Sequence, residues 1–259
     1  MTDKIFTQVT IIGLGLIGSS LARAIKQRGI AETVIAVDKD QKVCDIVEKL
    51  GIADTVTTNV KRGVTGSDLV ILAVPVGVVG EVAQDMGPAL KPGAIVSDVG
   101  SVKQSIVDQV KPFIPESAHL IPAHPIAGTE FSGPEAGLAE LFEGRWCILT
   151  PLPDSDIQAV EKMTRFWEAC GALPEIMDAQ RHDLVLAITS HLPHLIAYNI
   201  VNTAAHLERV TDSEVIKFSA GGFRDFTRIA ASDPTMWRDV FLANKDAVLE
   251  MLGRFNEDI

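Results

Sequence analysis

Disulfide-forming cysteine, positive charge and long apolar runs are all in short supply in this chain. Only three cysteines occur, Cys44, Cys147 and Cys170, and no paired spacing links them. They read as reduced thiols of a cytosolic protein rather than a disulfide framework. Against 34 Asp and Glu stand 23 Lys and Arg, a formal net charge of −11. Such a chain as a whole repels nucleic acid and anionic lipid. It holds an anionic small molecule only in a locally positive pocket. Unbroken apolar runs such as "LVILAVPVGVV" are too short to cross a bilayer. No charged-then-apolar leader opens the chain, and no repeat or low-complexity tract is visible. The expectation is a cytoplasmic protein with neither a nucleic-acid nor a membrane partner.

What is present is enough apolar residue, 47% of 259, for one large or two smaller cores. Up to Ile176, short β-rich runs alternate with helical patterns. "QVTII", "TVIAVD", "DTVTT", "SDLVILAVP", "AIVSDVG" and "HLIPAHP" read as strands, followed by "RWCILTP" and "LPEIMD" around a helix. This alternation predicts an α/β fold, a doubly wound, Rossmann-type parallel sheet covered by helices on both faces. From 177 on, "AQRHDLVLAITSHLPHLIAYNIVNTAAHLERV" is one long helical pattern. Its apolar stripe is Leu184, Ile188, Leu192, Ile196 and Ile200. Further helical stretches follow and no strand signal is left. The expected domains are 1–176, binding a dinucleotide, and 177–259, all helical. So small a helical layer finds its missing core in a second subunit, so a homodimer is expected.

"TIIGLGLIGSSLA" places Gly13, Gly15 and Gly18 in the G-x-G-x-x-G pattern, after a strand and opening a helix with Leu16 and Ile17. Gly13 serves the tight turn, Gly15 the approach of a pyrophosphate, and Gly18 close helix–strand packing. Asp38 ends the second strand, where a carboxylate accepts from the ribose hydroxyls of NAD and repels the extra phosphate of NADP. Lys39 beside it softens that preference, so NADP stays open. A flavin, or a glycine turn that binds nothing, is the alternative.

Ligands of an open parallel sheet sit beyond the carboxyl ends of its strands. "AVPVG", with Val74 and Pro75, "DVGSVK", with Ser101, and "AHPIAGTE", with His124, fall there by count. Histidine is a natural general base near neutrality, and Ser101 is placed to hydrogen-bond it. A packed core histidine is the plain alternative. In the helical part, "TSHLPH" sets Ser190 and His194 on one face, with His191 beside them and Pro193 expected to kink the helix. The H-x-x-H spacing has no further ligands at metal distance, and no metal is expected. "GGFRDFTRIAASDPTMWRD" offers Arg224 and Arg228 with Asp225 between them, and Trp237 as a pocket wall. Guanidinium groups there suit a carboxylate, with a surface ion-pair cluster as the alternative.

Together, "GLGLIGSSLA", "DVGSVK", "HPIAGTEFSG", "SHLPH" and "GGFRDFTRIAASDPTMWRD" make the chain resemble, over nearly its whole length, the prephenate and arogenate dehydrogenases. These are the cyclohexadienyl dehydrogenases of tyrosine biosynthesis. The resemblance implies an NAD(P)-binding domain followed by a helical dimerisation domain. It also implies a small substrate, prephenate or arogenate, that is oxidised and decarboxylated. His124 would be the catalytic base, assisted by Ser101. His194 and Arg228 would bind substrate and supply positive charge, with Thr129, Glu130, Ser190, His191 and Trp237 at pocket positions. Two rivals remain. A β-hydroxyacid dehydrogenase would share the plan, but such enzymes use a lysine on the long helix, and none lies between Ala187 and Ala205. A non-catalytic dinucleotide sensor would need only the glycine loop.

Overall fold

Strands β1 (Phe6–Ile12), β2 (Ala31–Val37), β3 (Thr55–Thr57), β4 (Leu69–Leu72), β5 (Ile95–Asp98) and β6 (His119–Leu120) pair in parallel in the order β3-β2-β1-β4-β5-β6. The computed structural model describes residues 4–129, 131–208 and 214–258. Packing divides the chain into a unit ending at His182 and another beginning at Asp183, whereas the sequence pattern changes after Ile176.

The first unit is doubly wound, as its alternation predicts. Alternate strand residues face opposite ways. Val9, Ile11, Leu69, Ile71 and Ile95 join one core with Leu21 and Ile25 of α1 (Leu16–Arg28) and Met163 and Phe166 of α6 (Ile157–Ala169). Their neighbours Ile12, Val70, Leu72 and Val96 are just as buried. Right-handed crossovers carry α3 (Val60–Val64), α4 (Val79–Met86) and α5 (Gln104–Val110) over that second face, and α4 packs against both α3 and α5. Helix α2 (Gln41–Leu50) begins at Asp40, whose side chain accepts from Lys42 N at 2.9 Å.

The strand order reverses between β1 and β4, and the glycine turn leaves β1 there. Gly13 has φ 95° and donates its N–H to Val37 O at 2.8 Å. A Cβ on Gly18 would stand 1.9 Å from Gly13 O, so only glycine lets α1 start this close to β1.

One expected strand divides. "HLIPAHP" reads as a single strand of the main sheet, but only its start, β6, pairs there. The chain then crosses to a second sheet through Pro122. There β7 (Ala123–Pro125) pairs antiparallel with β8 (Trp146–Leu149), which pairs parallel with β9 (Leu173–Ile176). The late strands "RWCILTP" and "LPEIMD" are β8 and β9, outside the main sheet. His124 therefore lies inside a short strand, opposite Ile148, not beyond the end of a long one. The cause is a competing set of partners for Ala123, described below.

The second unit holds no strand among the described residues. Its helices are α7 (Ala179–Leu186), which begins in the first unit, α8 (Leu192–Glu208), α9 (Glu214–Lys217), α10 (Gly221–Thr227), α11 (Pro234–Ala243) and α12 (Lys245–Glu257). Between α7 and α8 lies a π-helical turn, Ala187–His191. Pro193 can donate no backbone hydrogen bond, and the widened turn just before it takes up the irregularity expected as a kink. The turn also shifts the register of the apolar stripe. Leu192 is buried, while Leu184, Ile188 and Ile200 are exposed. One small buried cluster of the unit is Ala187, Leu192, Val248 and Met251, and Leu186, Ala197, Trp237 and Val240 are buried as well.

Counting unbroken apolar runs passes over one feature. The continuous helical stretch Ala179–Leu207 is long and apolar enough to cross a membrane by length and composition, and only 28% of its apolar window is buried.

Gly18→Ala is expected to cost about 1–3 kcal/mol through overpacking against Gly13 O. Gly15→Ala, where a Cβ meets nothing within 4 Å, is expected to melt like the wild type. Thermal melts of the two variants without ligand measure the contrast.

Candidate active site

Three loops leave one edge of the main sheet. Ile12, Leu72 and Asp98, the last residues of β1, β4 and β5, are in register. The glycine turn, residues 73–75 and residues 99–103 therefore start side by side. At the first, Gly15 caps α1 without any side-chain cap, and nothing lies within 4 Å of where a Cβ on it would be. The first-turn amides, at half-buried Leu16 and Ile17, thus face room for a phosphate. Asp38 closes the other side. Its carboxylate accepts from Leu14 N at 2.9 Å and Asp40 N at 3.0 Å, which holds it across the turn with lone pairs left for ribose hydroxyls. Val74 lies beside Gly13, its Cγ1 3.0 Å from where a Gly13 Cβ would be, and Pro75 is exposed next to it. These groups fit a dinucleotide.

At the third loop a wholly buried ion pair does the positioning. Lys103 Nζ donates to Asp98 Oδ2 at 2.5 Å and to Ala123 O at 2.6 Å. Asp98 Oδ2 also accepts from Gly100 N at 2.7 Å, and its Oδ1 from Ala123 N at 3.2 Å. Burial pushes the Asp98 carboxyl up, and the ammonium and both amides pull it back. Both main-chain groups of Ala123 are thus held by side chains, which turns the chain out of the main sheet just before His124. Half-buried Ser101 sits in the same loop, two residues before Lys103.

His124 is 8% exposed. Its Nδ1 lies 2.8 Å from Nε2 of His182, and the two rings meet edge to face at 5.1 Å. His182 is fully buried on α7. Thr129 is exposed, and its hydroxyl accepts from Phe131 N at 3.3 Å. Glu130 lies outside the described residues. All three cysteines are free and buried. Burial pushes Cys170 up to about 12 and Cys147 well above its ordinary value, which leaves both inert as nucleophiles.

In the second unit, His194 Nδ1 donates to Ser190 O at 2.9 Å, and its ring stacks on Trp237 at 3.7 Å. Burial lowers the His194 pKa from its ordinary 6.5, opposed by the Ser190 carbonyl. With Nδ1–H given to Ser190, Nε2 is left to accept, and burial disfavours the charged ring that was expected to supply positive charge. Trp237 is buried, and its Nε1–H has no hydrogen-bond partner among the described residues. Ser190 is half-buried. His191 differs from expectation. It is fully buried and receives Asn244 Nδ2 at 3.0 Å, while the same amide also donates to Asp183 O at 2.8 Å. Those contacts tie α7, the π turn and α12 together, so His191 is placed as a packing residue. Arg224, Asp225 and Arg228 are exposed, and neither arginine forms an ion pair among the described residues.

The family model described as prephenate dehydrogenase, nucleotide-binding domain, matches residues 21–175, and that described as prephenate dehydrogenase, dimerization domain, matches 178–259. The chain belongs to the prephenate dehydrogenase family. Within it, the chain is 44% identical to a cyclohexadienyl dehydrogenase of Zymomonas mobilis, over 98% of this chain and 87% of that protein. It is 36% identical to a prephenate dehydrogenase of Bacillus subtilis, over 96% of this chain but 66% of that protein, just under two thirds of its length. Among solved structures it resembles a prephenate dehydrogenase of Aquifex aeolicus, in complex with hydroxyphenyl propionate and NAD+, with TM-score 0.91 and 36% identity, covering 97% of this chain and 87% of that one. The glycine turn precedes the matched 21–175 stretch and stands on its own geometry.

For this family member, sequence reasoning passed over Asp98, Lys103 and His182. The first two carried a signal, since both lie in "SDVGSVK", where a buried strand ends in an acid with a lysine five residues on. His182 had none, because nothing local marks "RHDL" as facing His124. Lys103→Met is expected to cost about 3–5 kcal/mol by leaving Asp98 buried and unpaired. Denaturant unfolding followed by circular dichroism measures the loss.

Proposed function

We propose that the protein catalyses the NAD-dependent oxidative decarboxylation of prephenate, arogenate or both in tyrosine biosynthesis, as a cytoplasmic homodimer. One observation carries the reading. A nearly buried histidine stands next to Ala123, which the ion pair at the end of β5 clamps, and β5 ends at the same sheet edge as an open glycine turn.

Gly13, Gly15, Leu16, Ile17 and Gly18 would hold the pyrophosphate of NAD, Asp38 its ribose, and Val74 and Pro75 its flank. NAD, when bound, supplies the acceptor for the hydride that leaves C4 of the substrate ring. His124 takes the proton from the C4 hydroxyl as that oxygen becomes a carbonyl. Carbon dioxide leaves C1 as the ring becomes aromatic, and His124 returns the proton to the phenol oxygen. Ser101, from the loop that Lys103 anchors, orients the base and the hydroxyl.

Holding an anionic substrate in a chain of net charge −11 calls for local cations, and Arg228 is assigned to a carboxylate by its unpaired guanidinium. His194 accepts from a hydroxyl or ammonium at Nε2, and the unpartnered Trp237 Nε1–H donates. Thr129, Glu130 and Ser190 are assigned to substrate binding in this reading by the motifs they belong to. The homodimer follows from the small core of the helical unit and the exposed Leu184, Val185, Ile188, Ile200 and Val201. A second copy, rather than a lipid bilayer, is the cover proposed for that apolar stretch.

Purified protein with NAD and either prephenate or arogenate is expected to produce NADH, read by absorbance, and the ratio of rates names the preferred substrate. No NADH from either, with NADP also tried, overturns the reading. His124→Asn is expected to lower kcat by about 10²–10⁴-fold with substrate binding nearly intact. Arg228→Ala is expected to raise KM for substrate, and an unchanged KM would make Arg228 structural.

A further inference from the structure

We infer that His182 is a positioning residue for the base: its Nε2 accepts the Nδ1–H of His124 and so reserves His124 Nε2 for the substrate hydroxyl. This rests on the reading of His124 as the base.

The chain of reasoning is one of tautomers. A neutral imidazole carries one N–H and one acceptor nitrogen. At 2.8 Å, His124 Nδ1 and His182 Nε2 share one proton between them. If His182 donates, His124 Nδ1 is the acceptor, its Nε2 already carries hydrogen, and it takes no proton from a substrate. If His182 accepts, His124 Nε2 is the acceptor and the pair is ready. After His124 takes the hydroxyl proton it is an imidazolium, with its Nδ1–H still donated to His182 Nε2. The positive charge is then stabilised by a neutral ring rather than by a carboxylate. In the serine hydrolase triad the third member fixes the tautomer of the histidine in the same way.

Geometry makes the arrangement stiff. His182 is fully buried and 58 residues from His124 in sequence. Its helix holds it through the bond from its own N–H to Asp178 O at 3.0 Å. His124 is fixed from the other side by the Lys103 clamp on Ala123. Among the described residues, the titratable groups on the elements beside the pair include Asp98 and Lys103 behind Ala123, Cys147 on the neighbouring β8, and Asp178, Arg181 and Asp183 on or beside α7. The Asp98 and Lys103 charges pair with each other. Protonation of His182 would force it to donate to His124, so the acid limb of the pH profile belongs to the pair.

The experiment compares wild type, His182→Phe and His182→Gln. Glutamine reaches the same point with an acceptor oxygen but does not titrate. His182→Phe is expected to lower kcat by about 10²-fold, the size of a misplaced catalytic group. KM for substrate and NAD should stay near wild type, and the acid limb should move to lower pH. His182→Gln is expected to recover most of the lost kcat. Ring ¹⁵N shifts of His124, assigned by comparison with His124→Asn, are expected to report hydrogen on Nδ1 in wild type and in His182→Gln, with Nε2–H appearing in His182→Phe. Hydrogen on His124 Nε2 in wild type overturns the proposal, even if neither ring substrate is turned over. So does unchanged kcat in His182→Phe. Parallel losses of kcat, both KM values and Tm that glutamine does not rescue would make His182 structural only, and also overturn it. Absence of turnover in wild type with the expected tautomer present instead defeats the assigned reaction and leaves the pairing intact.

Discussion

The Asp98–Lys103 pair is the contact on which the candidate site depends. Two charges have been taken wholly out of water, which is costly unless every remaining donor and acceptor is used. Here the ammonium donates to the carboxylate and to Ala123 O, and the carboxylate receives Gly100 N and Ala123 N. The pair thereby binds the end of β5 to the start of β7. A hydrophobic replacement would fill the space but could not hold a carbonyl and an amide at once. The need to present His124 in one orientation gives a physical reason for keeping charge there.

Histidine plays three different parts, each set by its contacts. His124 shares a hydrogen bond with a second ring. His191 is consumed by packing against Asn244. His194 has its charged form disfavoured by burial and is held by a carbonyl of its own helix. Arg224 and Arg228 are left as the exposed cations of the "GGFRDFTRIA" stretch. The π turn before Pro193 belongs to the same economy of irregular backbone, for it lets a proline sit between His191 and His194.

Much of this was legible in the residues. The glycine turn, Asp38 and the doubly wound order follow from short-range rules of sterics and period, and they appear where the pattern placed them. His124, Ser101 and the arginine pair could be picked out by residue type and by their place after strands. The splitting of "HLIPAHP" was not legible, because strand propensity is blind to a side-chain clamp that removes Ala123 from the ladder. Nor was the fate of the apolar stripe from Leu184 to Ile200, since a single widened turn rotates everything after it. His191 looked like its neighbour His194 in sequence, and only burial separated them.

By itself, the sequence determined the dinucleotide turn, the two-part plan and the identity of the candidate base, because each is written in neighbours within a few residues or in a repeating period. The tertiary structure alone decided what the base is bonded to. His182 lies 58 residues from His124, and no local rule links them. Their meeting depends on β7 leaving the main sheet and on the first turn of α7 bringing His182 to His124, and both are consequences of long-range packing that a linear reading does not contain.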